Sequence, residues 1–187
     1  MNRLTRVLMT PLGLALVSAL PPATLVPLGK YDEALVIPAN SPVTFQHFGQ
    51  YYDSAEFTGR FLLEGTFILD CDYCEPGYKD NQLRLNIIPD AAIAASLPHW
   101  KRHDNDIAIT ITDAGRFIDA ISKSTERKAL LSGKLTEIRG HAAIIVDRYE
   151  AGLESDSANY TARFVAVAKP PRIAKIEPKG DFGCGMI

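Results

Sequence analysis

The stretch Phe57-Thr58-Gly59-Arg60-Phe61-Leu62-Leu63-Glu64-Gly65-Thr66-Phe67-Ile68-Leu69 decides the fold class. Phe57, Gly59, Phe61, Leu63, Gly65, Phe67 and Leu69 take every second position, and Thr58, Arg60, Glu64 and Thr66 stand between them. A period of two with one apolar side is a strand with one buried face. Gly59 and Gly65 fall on that face, where a missing side chain lets a strand coil sharply or admit a bulge. A strand hinged in this way can serve two sides of a small barrel.

Downstream, Leu83, Leu85 and Ile87 alternate through a second strand, Leu83 to Ile88. Pro89-Asp90 then opens a short Ala-rich helical turn, with Asp90 as its N-cap. Ile107, Ile109 and Ile111 alternate with Ala108, Thr110 and Thr112 in a third strand. Asp113 is placed to cap a helix whose apolar residues Ala114, Phe117, Ile118 and Ile121 follow helical spacing, with Gly115 weakening it. Leu130 to Ile138 and Ala142 to Tyr149 read as two strands joined by a tight Arg139-Gly140-His141 turn. A last strand, Tyr160 to Ala168, stops at Pro170-Pro171.

Upstream, residues 20–54 carry several prolines and little alternation, and read as an irregular lead-in with one short strand at Val43 to Gln46. The expected domain is therefore residues 55–170, followed by a tail, 171–187. The order of elements resembles the OB-type barrel: about six strands, with one helix between the third and fourth. An antiparallel sandwich fits the same strands if the long one breaks at Gly65.

The N-terminus has a different composition. Arg3 and Arg6 precede an uncharged, apolar stretch from Val7 to Leu20. This is the pattern of a secretory signal peptide. At about 14 residues, interrupted by Pro11 and Gly13, the stretch is short of the roughly 20 that a spanning helix needs. Small residues Val17-Ser18-Ala19 offer a cleavage site after Ala19, which makes residues 1–19 the leader and the mature chain periplasmic or secreted. No cysteine lies near the cut to take a lipid, and an exported chain does not meet the machinery that would prenylate Cys184-Gly185-Met186-Ile187. Losing Arg3 and Arg6 leaves 18 basic against 22 acidic side chains, a balance that does not favour nucleic acid or an anionic membrane surface.

Phe57-Thr58-Gly59-Arg60 with Glu64-Gly65-Thr66, Ile88-Pro89-Asp90, Leu97-Pro98-His99-Trp100 and Ala162-Arg163-Phe164-Val165 together resemble a group of uncharacterised exported proteins of Gram-negative bacteria. That resemblance implies export and carries no activity.

Three sets of residues are candidates for chemistry. Trp100 is the single tryptophan, and with His99 and Arg102 it forms an aromatic and basic cluster in an expected loop, suited to stacking a sugar or holding an acidic peptide; a tryptophan folded under as a core plug fits the same residues. Cys71 and Cys74 form a C-x-x-C, which with His99 and His103 supplies the two thiolates and two imidazoles of a zinc set. The 24 residues between Cys74 and His99 are far more than a zinc finger uses. In an oxidising compartment the same Cys71 and Cys74, with Cys184, instead supply a disulfide of open pairing. Asp70, Asp72 and Glu75 surround the pair and oppose the low thiol pKa of a redox centre. Glu64, Asp70, Asp72, Asp147 and Glu150 are carboxylates on or near strands, but their separations are not legible, and no serine sits in a hydrolase nucleophile context. The function expected is a non-enzymatic binding or envelope-assembly module for a protein or glycan partner, without a cofactor. The alternative is a metal-binding protein or metal-dependent hydrolase holding zinc on Cys71, Cys74, His99 and His103.

Overall fold

The computed structural model describes residues 23–27, 33–50, 53–72, 82–103, 107–154 and 157–178. The expected leader, Cys74 and Cys184 lie outside these residues. The chain is mainly β, as the alternating stretches predict. Its strands are β1 (Thr24–Pro27), β2 (Ala34–Ile37), β3 (Thr44–Phe48), β4 (Ser54–Thr58), β5 (Phe61–Asp72), β6 (Gln82–Pro89), β7 (His99–Trp100), β8 (Ile109–Thr112), β9 (Leu135–Glu154) and β10 (Ser157–Pro178). The helices are short: α1 (Ala91–Ala94), α2 (Gly115–Ile121) and α3 (Ser124–Leu131). No helix among the described residues is long and apolar enough to cross a membrane.

Seven strands form one sheet in the order β10-β8-β6-β5-β9-β4-β3, and β10 also pairs with β9. The ladders therefore run from β10 through β8, β6, β5 and β9 and return to β10. The β8–β10 ladder is parallel, Ile109 to Thr112 against Tyr160 to Arg163, while β5–β6, β5–β9, β6–β8 and β9–β10 are antiparallel. β1, β2 and β7 form a second, three-stranded sheet.

The inward face of β5 supplies Phe61, Leu63, Phe67 and Leu69 to the core. Ile138, Ala142, Ile144 and Val146 of β9 face them, with Leu85 and Ile87 of β6 alongside. At one end α2 lays Phe117 edge-on to Phe67, ring centres 5.8 Å apart, and against Phe164 of β10 at 6.0 Å. Leu130 of α3 is buried in the same cluster.

Several expectations need correction. The stretch 57–69 is two strands, because Gly59 turns the chain with a φ of 131°, a conformation that L side chains rarely adopt. β4 thereby pairs with β3 and β9, and the longer β5 pairs with β6 and β9. Arg139-Gly140-His141 is not a turn. β9 runs unbroken through it, because glycine is needed there for close approach: a Cβ at Gly140 would lie 2.2 Å from the Arg172 carbonyl oxygen and 2.5 Å from the Phe67 ring. Residues 20–54 are not an irregular lead-in throughout, since β1, β2 and β3 lie within them.

The last strand does not stop at Pro170-Pro171. Beyond Arg163, β10 has β9 on one side and no described strand on the other, so its prolines cost no ladder on that free edge. Two helices, not one, separate β8 from β9. α3 begins where the Glu126 carboxylate accepts the Lys123 N–H at 2.6 Å, a cap that the sequence reading missed. The N-cap of α2 is Ala114, and Asp113 sits just before it in the left-handed region, φ 55°. Asp90 does occupy the N-cap position of α1 but gives no side-chain cap bond; its carboxylate lies 3.4 Å from His141 Nε2.

Candidate functional site

Trp100 belongs to strand β7, not to a loop, and is fully buried. Leu35 of β2 is its cross-strand neighbour, and the Lys101 N–H donates to the Ala34 carbonyl just beyond it. The indole Nε1–H donates to the Gly152 carbonyl of β9 at 2.9 Å, and the Trp100 backbone N–H donates to the Tyr160 hydroxyl at 3.3 Å. Nearby, the Tyr149 hydroxyl donates to the Pro98 carbonyl at 2.7 Å. Tyr149 and Tyr160 stack with ring centres 6.2 Å apart. Burial, and next the neighbouring Tyr160, push the Tyr149 hydroxyl well above its ordinary pKa, so it serves as a neutral donor. Trp100 is thus a core plug that ties β7 to β9, and its ring is closed to a stacking ligand.

Arg102 also differs from the expectation. The carboxylate of Glu33, itself buried, accepts its backbone N–H at 3.0 Å and lies 3.5 Å from its guanidinium. A buried carboxylate needs such a partner, so Arg102 helps to hold the residue before β2 against the turn after β7, while most of its side chain stays exposed.

His99 keeps a place at a candidate site. Strand alternation points it away from Trp100, and it is half-buried in the wall of a cleft of about 550 Å³, with Ile88, Pro89, Ala91, Ala95 and Ile107. The small residues of α1 make the room. Its Nδ1 lies 2.9 Å from the Leu97 carbonyl oxygen. A carbonyl only accepts, so Nδ1 carries the proton and Nε2 of the neutral ring is left as an acceptor. The cleft therefore sets the His99 ring among small and apolar side chains.

The four proposed zinc ligands are not brought together among the described residues. Cys71 stands at the far end of β5, beside Asp70, whose partner on β9 is Glu137, whereas Trp100, next to His99, is bonded to Gly152 near the other end of β9. Cys71 is disulfide-bonded, and its two candidate partners, Cys74 and Cys184, lie outside the described residues. His103 is half-buried, its N–H bonded to the Trp100 carbonyl. No group of three or more potential metal ligands is assembled among the described residues.

The carboxylates named from the sequence serve mostly as ion-pair partners. Glu64 binds Lys169 at 3.0 Å, Asp70 binds Arg84 at 3.3 Å, and Asp147 binds Arg163 at two points. Glu150 has no such partner among the described residues. Compared with known protein families, curated proteins and solved structures, the chain matches none.

Proposed function

We propose that this chain is an exported, non-enzymatic binding module of the cell envelope, built on an OB-like barrel of β5, β6, β8, β9 and β10. The closed circuit of ladders, the parallel β8–β10 pair and the helical segment between β8 and β9 support the barrel reading. The charged N-terminus followed by an apolar stretch supports export to the periplasm or beyond.

The observation that carries the binding reading is the His99 cleft. A half-buried imidazole with Nδ1 fixed by the Leu97 carbonyl is oriented at no further entropic cost, and the alanines of α1 leave space beside it. Such a cleft fits an apolar group bearing one hydrogen-bond donor. A side chain from a protein partner fits that description better than a glycan, because the one indole suited to sugar stacking is committed to Gly152.

Photocrosslinking from Ala95, on the cleft wall, tests this in envelope preparations, with the exposed Thr136 on β9 as a control position. A discrete protein adduct from Ala95 that Ala94→Trp removes supports the proposal. Identical adducts from both positions, or an adduct that survives filling the cleft, would sink it.

A further inference from the structure

A second, polar groove of about 430 Å³ lies over β3, β4 and β9, lined among others by His47, Glu56, Thr58, Arg148 and Glu150. Two features there work against folding. Glu56 and Glu150 are directly opposed across the β4–β9 ladder, and like charges so placed repel. Arg148, in the next turn of the groove wall, is held in the left-handed region at φ 51°, which costs a residue with a Cβ backbone energy. Local choices that oppose the fold concentrate at functional positions.

The groups are also available. The side chains of Glu150 and Arg148 make no hydrogen bond or close ion pair with a described residue, although the Arg148 charge is near enough to Asp147 to help lower its carboxyl pKa, and the Glu56 carboxylate has His47 Nε2 at 3.7 Å. The wall beneath is rigid, because Tyr149 between them is anchored through its hydroxyl to Pro98.

We propose that this groove binds a short peptide as a zwitterion, its ammonium group between Glu56 and Glu150 and its terminal carboxylate on Arg148. Glu150 and Arg148 are two positions apart on β9, at most roughly 7 Å along the backbone, a span that the left-handed conformation of Arg148 shortens. A dipeptide carries its two charges on that scale, farther apart than those of a free amino acid.

The test is titration of the isotope-labelled full chain with glycylglycine, followed by amide NMR shifts, with free glycine and doubly capped glycylglycine as controls. Saturable shifts at Glu56, Arg148 and Glu150 with a dissociation constant on the order of 1 mM, absent with the capped form and at least about fivefold weaker with glycine, support the proposal. Arg148→Gly removes the cation and relieves the backbone, so it should weaken binding about fivefold without lowering the thermal midpoint. Glu150→Gln, which keeps shape, should weaken binding similarly and guards against a folding defect in the first variant. The proposal is overturned if glycylglycine gives no saturable shift, if the capped form binds as well, or if both variants bind like the wild type.

Discussion

Arg163 on β10 grips Asp147 on β9 with two parallel hydrogen bonds, Nε to Oδ1 at 2.8 Å and Nη2 to Oδ2 at 2.9 Å. Arg60, just before β5, adds its Nε at 3.9 Å from the same carboxylate. Arg163 is opposite both Thr112 and Asp147, at the last residue where β10 has β8 on one side, while β9 stays beside β10 both before and after it. The pair thus ties β10 to β9 within the stretch where β10 bridges β8 and β9.

The hydrogen bonds from Arg163, ahead of the opposing effect of burial, hold the Asp147 carboxyl below the usual carboxylate range. A depressed folded-state pKa means that the pair stabilises the fold above the unfolded value of about 3.9. That contribution is lost as pH falls through the lower, folded pKa. Asp147→Asn should therefore cost about 1 kcal/mol at pH 7, the upper range for a solvent-screened pair, and the gap from wild type should close in acid. Urea denaturation of both proteins at several pH values checks this; a gap that persists below pH ~2 would be inconsistent with the assignment.

Trp100 should behave as a structural residue. Trp100→Ala removes a fully buried indole and should cost about 3 to 5 kcal/mol. Trp100→Phe keeps much of the volume but strands the Gly152 carbonyl, at about 1 to 3 kcal/mol. Circular dichroism during denaturation reads both. A Trp100→Ala protein of unchanged stability would refute the plug and return the indole to the surface.

Gly140→Ala should destabilise by roughly 1 to 3 kcal/mol, since the new methyl meets backbone at Arg172 as well as the Phe67 ring. Pairing it with Phe67→Leu separates the two contacts by a thermal-melt double-mutant cycle: partial recovery assigns the strain to the ring, and none assigns it to the β10 backbone.

Cys71 gives a redox prediction. Its disulfide should make the non-reduced chain two hydrogens lighter than the reduced one, and peptide mapping should identify the partner as Cys74 or Cys184. Recovery of Cys71 as an alkylatable thiol from protein prepared without reductant would contradict it.

These cases also mark what the sequence makes legible. The alternation in β5, β6 and β8 is local, so it reads directly as strand. Gly140 was misleading because glycine marks both turns and close approach; the retained phase of Ile138, Ala142, Ile144 and Val146 through it was the signal of one continuous strand. Trp100 sits in a two-residue strand, too short to show any period, so its burial depends on β2, β9 and β10, which come from distant parts of the chain. Glu56 and Glu150 meet only through the register of β4 on β9, and no local pattern reports a register. The His99 cleft is built within one short window, residues 88–107, but its depth comes from how α1 packs beside β6 and β7, which no periodicity reports.

The most direct test of the central claim is a native mass spectrum of the protein recovered from the cell envelope, for the wild type and for Ala94→Trp. The wild type should begin at Leu20 and carry a bound protein partner that Ala94→Trp, with its filled cleft, no longer retains. A chain still beginning at Met1 and found outside the envelope, or a partner held equally by both proteins, would contradict it.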